Sequence, residues 1–357
     1  MKVLLLGDIH VGARKDSIAF QEYFTKFYSD VLLPYIDKNK IKHIIQLGDF
    51  FDNRKAVNTR SLNWIKKTLL EPLNKLGVTM HVLCGNHDSS YKNSIELNSL
   101  TEHLSQFKKV NTIVKPTKVK FGKHTYDLIP WIAPENEQEV MDFIEKSKSK
   151  ICFGHFEFAG YKMNKGSVSE HGSSIKAFKK YDQVYSGHYH TYSSDGHITY
   201  LGTPYELTWA DYNDNKSFWV LDTLSPQVTR IVNPYNMYHK IFYDDSKEKV
   251  NIQDFDYSMY TDSFIRVIIE SRKSIPHFEN FMEALHKNSS PHDISITDTT
   301  VAYREVDIEE IETQDPLSAL ISTIENDKEG TEELDVAYIK KLTQEIYNEA
   351  LLVGHES

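Results

Sequence analysis

The sequence predicts an α/β protein: a layered domain of strands and helices, then a small α+β unit, then a helical tail. Three observations carry this. Five short apolar runs, "VLLLGD", "HIIQLGD", "MHVLCGNHD", "KICFGHF" and "QVYSGHYH", each stop at a turn and read as buried strands. Amphipathic stretches of helical length lie between the first three runs. The texture of the chain then changes after "VNPYN" (Val232 to Asn236).

Taken in order, "VLLLGD" is followed by a helix expected over about Ser17 to Lys38, and "HIIQLGD" by one over about Asn58 to Leu76. The second helix has Asn58 or Thr59 as a cap and stops at Gly77. Strand, helix, strand places the loops of interest at the carboxyl ends of the strands. "ITYLGTPYELTWADYNDNKSFWVLDT" reads as three further strands with turns. Beyond "VNPYN", "HKIFYDD", "SFIRVIIES" and "SITDTTVAYREVDI" suggest strands around one helix, "IPHFENFMEALHK". Two amphipathic helices are expected last. Leu317, Leu320, Ile321 and Ile324 form one apolar stripe; Leu334, Tyr338, Leu342, Ile346 and Ala350 form another. The expected divisions are residues 1–235, 236–310 and 311–357. At 357 residues the chain is too long for one ordinary core, which agrees with more than one unit.

Composition narrows the class. Two cysteines in 357 residues argue against a disulfide framework and fit a reducing compartment. The run Val3 to Leu6 in "MKVLLLGDIH" is too short for a signal peptide, and no stretch approaches the roughly 20 apolar residues of a membrane helix. A cytoplasmic protein is expected, in the host cytoplasm if the source is viral. The net charge of −10 taken alone argues against a nucleic-acid binder. But Glu305 to Asp335 holds twelve Asp/Glu and one Lys, a local charge of −11, so the rest of the chain sums to about +1. Bulk charge therefore argues neither for nor against a phosphate-rich ligand.

The strand ends carry the chemistry: Asp8-Ile-His10, Gly48-Asp49, Gly85-Asn86-His87-Asp88, Gly154-His155 and Gly187-His188-Tyr189-His190. Singly, "GD" is an ordinary turn and "HYH" an accident of surface or core. Five together, each ending an apolar run, read as one constellation. Carboxylate, imidazole and amide without thiolate suit Mn²⁺, Fe²⁺ or Zn²⁺. Residues two apart in a strand point the same way, so Asp8 with His10, and His188 with His190, each offer two groups to one place. The remaining histidines sit in no such frame. His171, in "SEHGSS", is less clear and is left as a loop residue.

This set resembles the calcineurin-like metallophosphoesterase superfamily over about residues 1 to 230. With "GDFFDNRKAV", the small α+β unit and the helical tail, it looks like the SbcD-type branch of DNA-repair nucleases, and within it the recombination endonuclease small subunits of T-even phages. The resemblance extends over most of the chain through "MKVLLLGDIHVG", "GDFFDNRKA", "GNHDSSYKN", "DLIPW", "SGHYHT" and "YLGTPYELT".

It implies a metallophosphoesterase β-sandwich flanked by helices, an α+β capping domain and a C-terminal helical tail. It implies two divalent ions, Mn²⁺ first, with Mg²⁺, Fe²⁺ or Zn²⁺ as alternatives. Asp49 would bridge them, Asp8, His10 and His190 would complete one, and Asn86, His155 and His188 the other. His87 would act as general acid. Asp52 is expected to accept a hydrogen bond from His87 and raise its pKa, and Asp88 to orient a ligand imidazole. Arg54, Lys55 and Arg14, with Lys15 and Arg60 nearby, are candidates for the DNA backbone. The expected function is a Mn²⁺-dependent DNA exonuclease or endonuclease, with a phosphatase or phosphodiesterase on a smaller phosphoester as the alternative. The expected partners are DNA and an SMC-like ATPase whose coiled coil takes the stripe of Leu334, Tyr338, Leu342 and Ile346. A homodimer within a heterotetramer is expected.

Overall fold

The structure, a computed structural model, describes residues 1–161, 173–225, 227–246 and 250–300, together with residues 340 and 343. His171 and the tail residues Leu334, Tyr338, Leu342 and Ile346 lie outside the described residues.

The strands in chain order are β1 Lys2–Leu6, β2 His43–Gln46, β3 Thr79–Leu83, β4 Ser89–Tyr91, β5 Ser94–Asn98, β6 Val110–Ile113, β7 Thr117–Phe121, β8 His124–Ile129 and β9 Ile151–His155. They continue with β10 Gln183–Gly187, β11 Ser193–Ser194, β12 Ile198–Tyr200, β13 Ser217–Asp222, β14 Gln227–Val232, β15 Tyr238–Asp244, β16 Phe264–Ser271 and β17 Asp293–Asp298. Two six-stranded sheets, ordered β14-β13-β1-β2-β3-β6 and β11-β12-β10-β9-β8-β7, form a sandwich.

The apolar runs are explained by burial on both faces. In β1, Val3 and Leu5 join the core between the two sheets, with Ile45, Leu83, Leu128, Phe153 and Trp219. Leu4 and Leu6 point the other way, into a core shared with Phe24, Phe27, Ile65 and Leu69 of the covering helices. A strand covered on both sides has no polar alternation, so it reads as continuous hydrophobe. The second sheet is covered in the same way, by Val140 and Ile144 of the helix Glu137–Lys146.

Both long helical stretches exist. Each contains one widened turn, at Tyr28–Leu32 and at Lys66–Leu70. A proline follows closely in each case, Pro34 and Pro72, and its missing N–H interrupts the regular ladder. The Asn58 side chain caps its helix, accepting from Arg60 N at 2.8 Å.

One segment departs from expectation. "ITYLGTPYELTWADYNDNKSFWVLDT" forms two strands, β12 and β13, rather than three. Between them the main-chain N–H groups of Leu207 and Thr208 donate to the Asp211 carboxylate at 2.8 and 2.9 Å. That turn takes up donors a strand would need.

Beyond Asn236 a third sheet, β15-β16-β17, is parallel throughout and packs on the helix Ile275–Ser289. It has its own core, including Tyr243, Val267, Ile269, Phe278 and Phe281.

Candidate metal centre

The carboxyl ends of β1, β2, β3, β9 and β10 meet at one edge of the sandwich, each contributing the turn that follows it. The turns are tight. Gly48 has φ +99°, a conformation that favours glycine, and a Cβ there would collide with the ring of His155. A Cβ on Gly85 would strike the main chain and carboxylate of Asp49. Three polar residues accommodate this crowding with left-handed backbone: His10 (φ 44°), Asp49 (φ 52°) and His188 (φ 84°). Strain of this kind persists where the surroundings over-determine it.

Three groups of potential ligands result among the described residues. Ligand atoms of Asp8, His10 and His190 lie within 4.8 Å of one another, as do those of Asp49, His155 and His188, and those of His10, Asp52 and His87. Nε2 of His10 is 3.1 Å from Nε2 of His190. Nε2 of His155 is 3.4 Å from Asp49 Oδ2. Asp8, Asp49 and His155 are buried.

The amide of Asn86 tests whether a cation suits the second group. Its oxygen points at His155 Nε2 (2.8 Å) and His188 Nδ1 (2.9 Å), and its nitrogen points at the Arg54 guanidinium (3.0 Å). Hydrogen bonding alone would favour the reversed amide, with nitrogen inward and oxygen accepting from Arg54. An inward oxygen suits a cation at the point where these atoms converge. The neighbouring contacts support it. Nδ1 of His155 donates to the Leu47 carbonyl at 2.7 Å, which leaves Nε2 as a lone-pair donor.

The electrostatics are those of a site short of positive charge. Burial pushes the Asp8 carboxyl up to about 7. Burial also opposes ionisation of Asp49, but His155 beside it overcomes this and holds the carboxyl well below its ordinary value. Burial disfavours the charged ring of His10, and the nearby Asp52 carboxylate overrides it, raising the pKa to about 9. His155 is raised to about 9 because Asp49 outweighs its burial. His188 is depressed to about 3 by burial and by His155.

Two supporting roles differ from expectation. The Asp52 carboxylate does not take the proton of His87. It lies 3.0 Å from His10 Nδ1, and His87 Nδ1 instead meets the main-chain carbonyl of Asp52 at 2.7 Å. A carbonyl only accepts, so Nδ1 carries the hydrogen and Nε2 is left for substrate. Asp88 orients no imidazole. Its buried carboxylate accepts from the main-chain N–H groups of Phe50 (3.2 Å), Phe51 (2.9 Å) and Gly85 (2.9 Å), lacing the Asp49 loop to the Asn86 loop. Both differences come from chain reversals that bring main-chain groups nearer than any side chain.

The centre opens into a groove of about 470 Å³ lined by His10, Arg14, Lys15, Asp52, His87 and His190, with Leu207 and Thr208 on the far wall. Arg14 Nε donates to the Leu207 carbonyl at 3.0 Å. Arg54 flanks Asn86, while Lys55 is exposed. Arg60 bonds the carbonyl of Asp16.

Two residues near the centre had no signature in the sequence. Trp131 lies against His188, ring centroids 5.4 Å apart. Buried Lys216 donates to the His190 carbonyl at 2.9 Å and pairs with Asp211 and Asp214. Only the quoted "DLIPW" hinted at the first.

Residues 1–192 match the sequence profile of the calcineurin-like phosphoesterases. Over 337 residues the chain is 33% identical to exonuclease subunit 1 of Enterobacteria phage T4, covering 92% of this chain and 96% of that one. It is 25% identical over 197 residues to putative phosphoesterase 078R of Invertebrate iridescent virus 3, covering 53% of each.

Proposed function

The chain belongs to the calcineurin-like phosphoesterase family, and on that premise we propose that it is a Mn²⁺-dependent DNA nuclease subunit acting in recombination and repair. One observation carries the proposal most: two clusters of carboxylate and imidazole, with His87 beside them, open into a groove that holds Arg14 and Lys15. The similarity to a phage exonuclease subunit along nearly the whole chain supports DNA as substrate.

Asp8, His10 and His190 would hold one divalent ion and Asn86, His155 and His188 the other, with Asp49 shared. When bound, such ions supply a nucleophile at neutral pH and neutralise charge on the phosphodiester. The protein's own groups do the rest. The Asp52 carboxylate, against His10 Nδ1, turns that ring so that Nε2 faces the ion. Asp8 accepts from the main-chain N–H of His188 at 2.9 Å, which ties β1 to the loop after β10. Asp49 Oδ1 accepts from His87 N at 2.8 Å and so sets the position of the His87 backbone. The ring, held at Nδ1 by the Asp52 carbonyl, presents Nε2 to the departing 3′ oxygen; as the imidazolium, protonated on both nitrogens, it gives the Nε2 proton to that oxygen and keeps the one on Nδ1. Arg14, Lys15, Arg54 and Lys55 hold the DNA backbone. The α+β unit, residues 236–310, caps the DNA. The segment 311–357 binds the coiled coil of an SMC-like ATPase through Leu334, Tyr338, Leu342 and Ile346, and the subunit works as a homodimer within a heterotetramer.

The test is Mn²⁺-dependent release of nucleotides from linear duplex DNA, set against hydrolysis of a small phosphoester, with His87→Ala as control. DNA turnover that depends on Mn²⁺ and His87 is expected. Turnover of the small ester alone would favour a phosphatase or phosphodiesterase.

A further inference from the structure

The second sheet carries a separate feature at the end opposite the metal centre. A cleft of about 650 Å³ opens where β7, the start of β8 and the connection from the helix Glu137–Lys146 to β9 meet. Lys118, Lys123, Lys146, Lys148 and Lys150 line it, with Asp182 as the one carboxylate among the lining residues. Five minus one is a formal charge of +4, in a chain whose net charge is −10.

The lysines are exposed and little engaged. Lys150 lies 3.4 Å from Asp182 in a solvated pair worth little. Lys118 sits 5.4 Å from the centroid of Phe143. The main chain beneath them is fixed. Buried Asp127 accepts from Ser149 Oγ at 2.6 Å and from the Tyr181 hydroxyl at 2.7 Å. Lys180 Nζ closes the end of the helix on the carbonyls of Ile144 (2.5 Å) and Ser147 (2.6 Å). Like charges are therefore held together by a rigid frame rather than left to spread. In the same lining Tyr126 is 1% exposed and its hydroxyl has no hydrogen-bond partner among the described residues. Its ring packs into the core between the sheets against Phe121 and Phe153, so the pull of this cleft on an anion comes from the lysines alone.

We propose that this cleft is a second phosphate site that holds the backbone of a DNA strand away from the metal centre. It rests on the nuclease function proposed above. Lysine is a point charge on a flexible stem, suited to backbone phosphates without base recognition. A peptide would need an exposed apolar anchor, and the apolar side chains of the lining, Tyr126 and Ile151, are both buried. β9 and β10 run parallel, with the metal centre at their carboxyl ends and the cleft at their amino ends. Strands of five residues at about 3.3 Å each put roughly 16 Å between the two sites. That is about five nucleotide steps at 3.4 Å. A strand of about three nucleotides, two steps long, fills the metal groove alone; one of about thirty reaches both.

The experiment compares the full chain with a Lys118→Gln/Lys123→Gln/Lys148→Gln variant. Fluorescent single strands of about three and about thirty nucleotides are titrated in chelator at several salt concentrations. A Lys66→Gln/Lys67→Gln/Lys75→Gln variant controls for net charge. Only the long strand should lose affinity, with a salt slope shallower by about 2, three contacts at roughly 0.7 each. Cleavage of the short strand in Mn²⁺ should be unchanged. Equal affinity and slope for the long strand, or an equal loss in the charge control, would overturn the second site while leaving the nuclease function standing. A wild-type chain that cleaves neither strand and releases no nucleotides from linear duplex DNA overturns the nuclease function and this site with it.

Discussion

Nδ1 of His87 lies 2.7 Å from the main-chain carbonyl oxygen of Asp52, and the Asp52 carboxylate faces His10 instead. Substituting the side chain therefore leaves the support of His87 intact. Asp52→Asn should weaken Mn²⁺ binding about 10–100-fold, as lost support of a ligand imidazole does, with a small effect on kcat at saturating metal. His87→Ala should do the reverse, lowering kcat by about 10²–10⁴ with Mn²⁺ affinity unchanged. Calorimetric titration and steady-state kinetics separate the two. An Asp52→Asn protein that binds Mn²⁺ normally but loses kcat as His87→Ala does would return the carboxylate to His87.

Asp88 holds two loops through three main-chain donors. An asparagine side chain in its place would offer one oxygen and turn an NH₂ group toward an N–H. Asp88→Asn should cost about 2–4 kcal/mol, the range for an unmet buried donor near charge, and lower Tm by several degrees. An unchanged melting curve in chelator would show that the lacing adds nothing.

Stability should depend on pH through Glu206. Burial raises its carboxyl to about 7, although it accepts from the N–H groups of Met237 and Tyr238. Its folded value exceeds its unfolded one, so its contribution is full below about 4.5 and is lost as pH rises through about 7. The difference between 4.5 and about 7 corresponds to about 3 kcal/mol. Glu206→Gln keeps an oxygen for both donors and cannot ionise. Its Tm advantage over wild type should grow from pH 5 to pH 8. A gap that is constant across that range rules out this titration.

Mn²⁺ affinity should rise with pH. His10 and His155 are both raised to about 9, and each must shed a proton to offer a lone pair. Apparent affinity should therefore increase from pH 7 toward pH 9, by up to about tenfold per pH unit for each proton released. Titration in buffers of different ionisation enthalpy counts those protons. A flat profile with no proton release would contradict it.

If the proposed ATPase partner docks on this segment, substituting Leu342 and Ile346 by Asp should abolish co-purification with it and leave Mn²⁺-dependent DNA cleavage unchanged. Retained binding would remove this segment as the docking site.

Much of the centre was legible in the sequence because its chemistry is local. Asp8, His10, Asp49, Asn86, His87, His155, His188 and His190 each follow an apolar run at a glycine-marked turn or strand end, and the structure brings all eight to one edge of the sandwich. A buried strand and a sharp turn leave short-range signatures, so both the elements and the residues at their mouths can be read without coordinates. The third strand expected within "ITYLGTPYELTWADYNDNKSFWVLDT" fails for the opposite reason. Its fate depends on the Asp211 carboxylate taking main-chain donors across a turn.

What only tertiary structure decided is which neighbour supports which group. Asp52 and Asp88 were recognisable as polar residues beside the centre. That one would face His10 and the other would lace two loops depends on hydrogen bonds spanning roughly 40 positions in the chain. Trp131, Lys216 and the lysine cleft belong to the same class. Their residues carry no pattern in sequence, and they gain meaning only when distant segments converge in space.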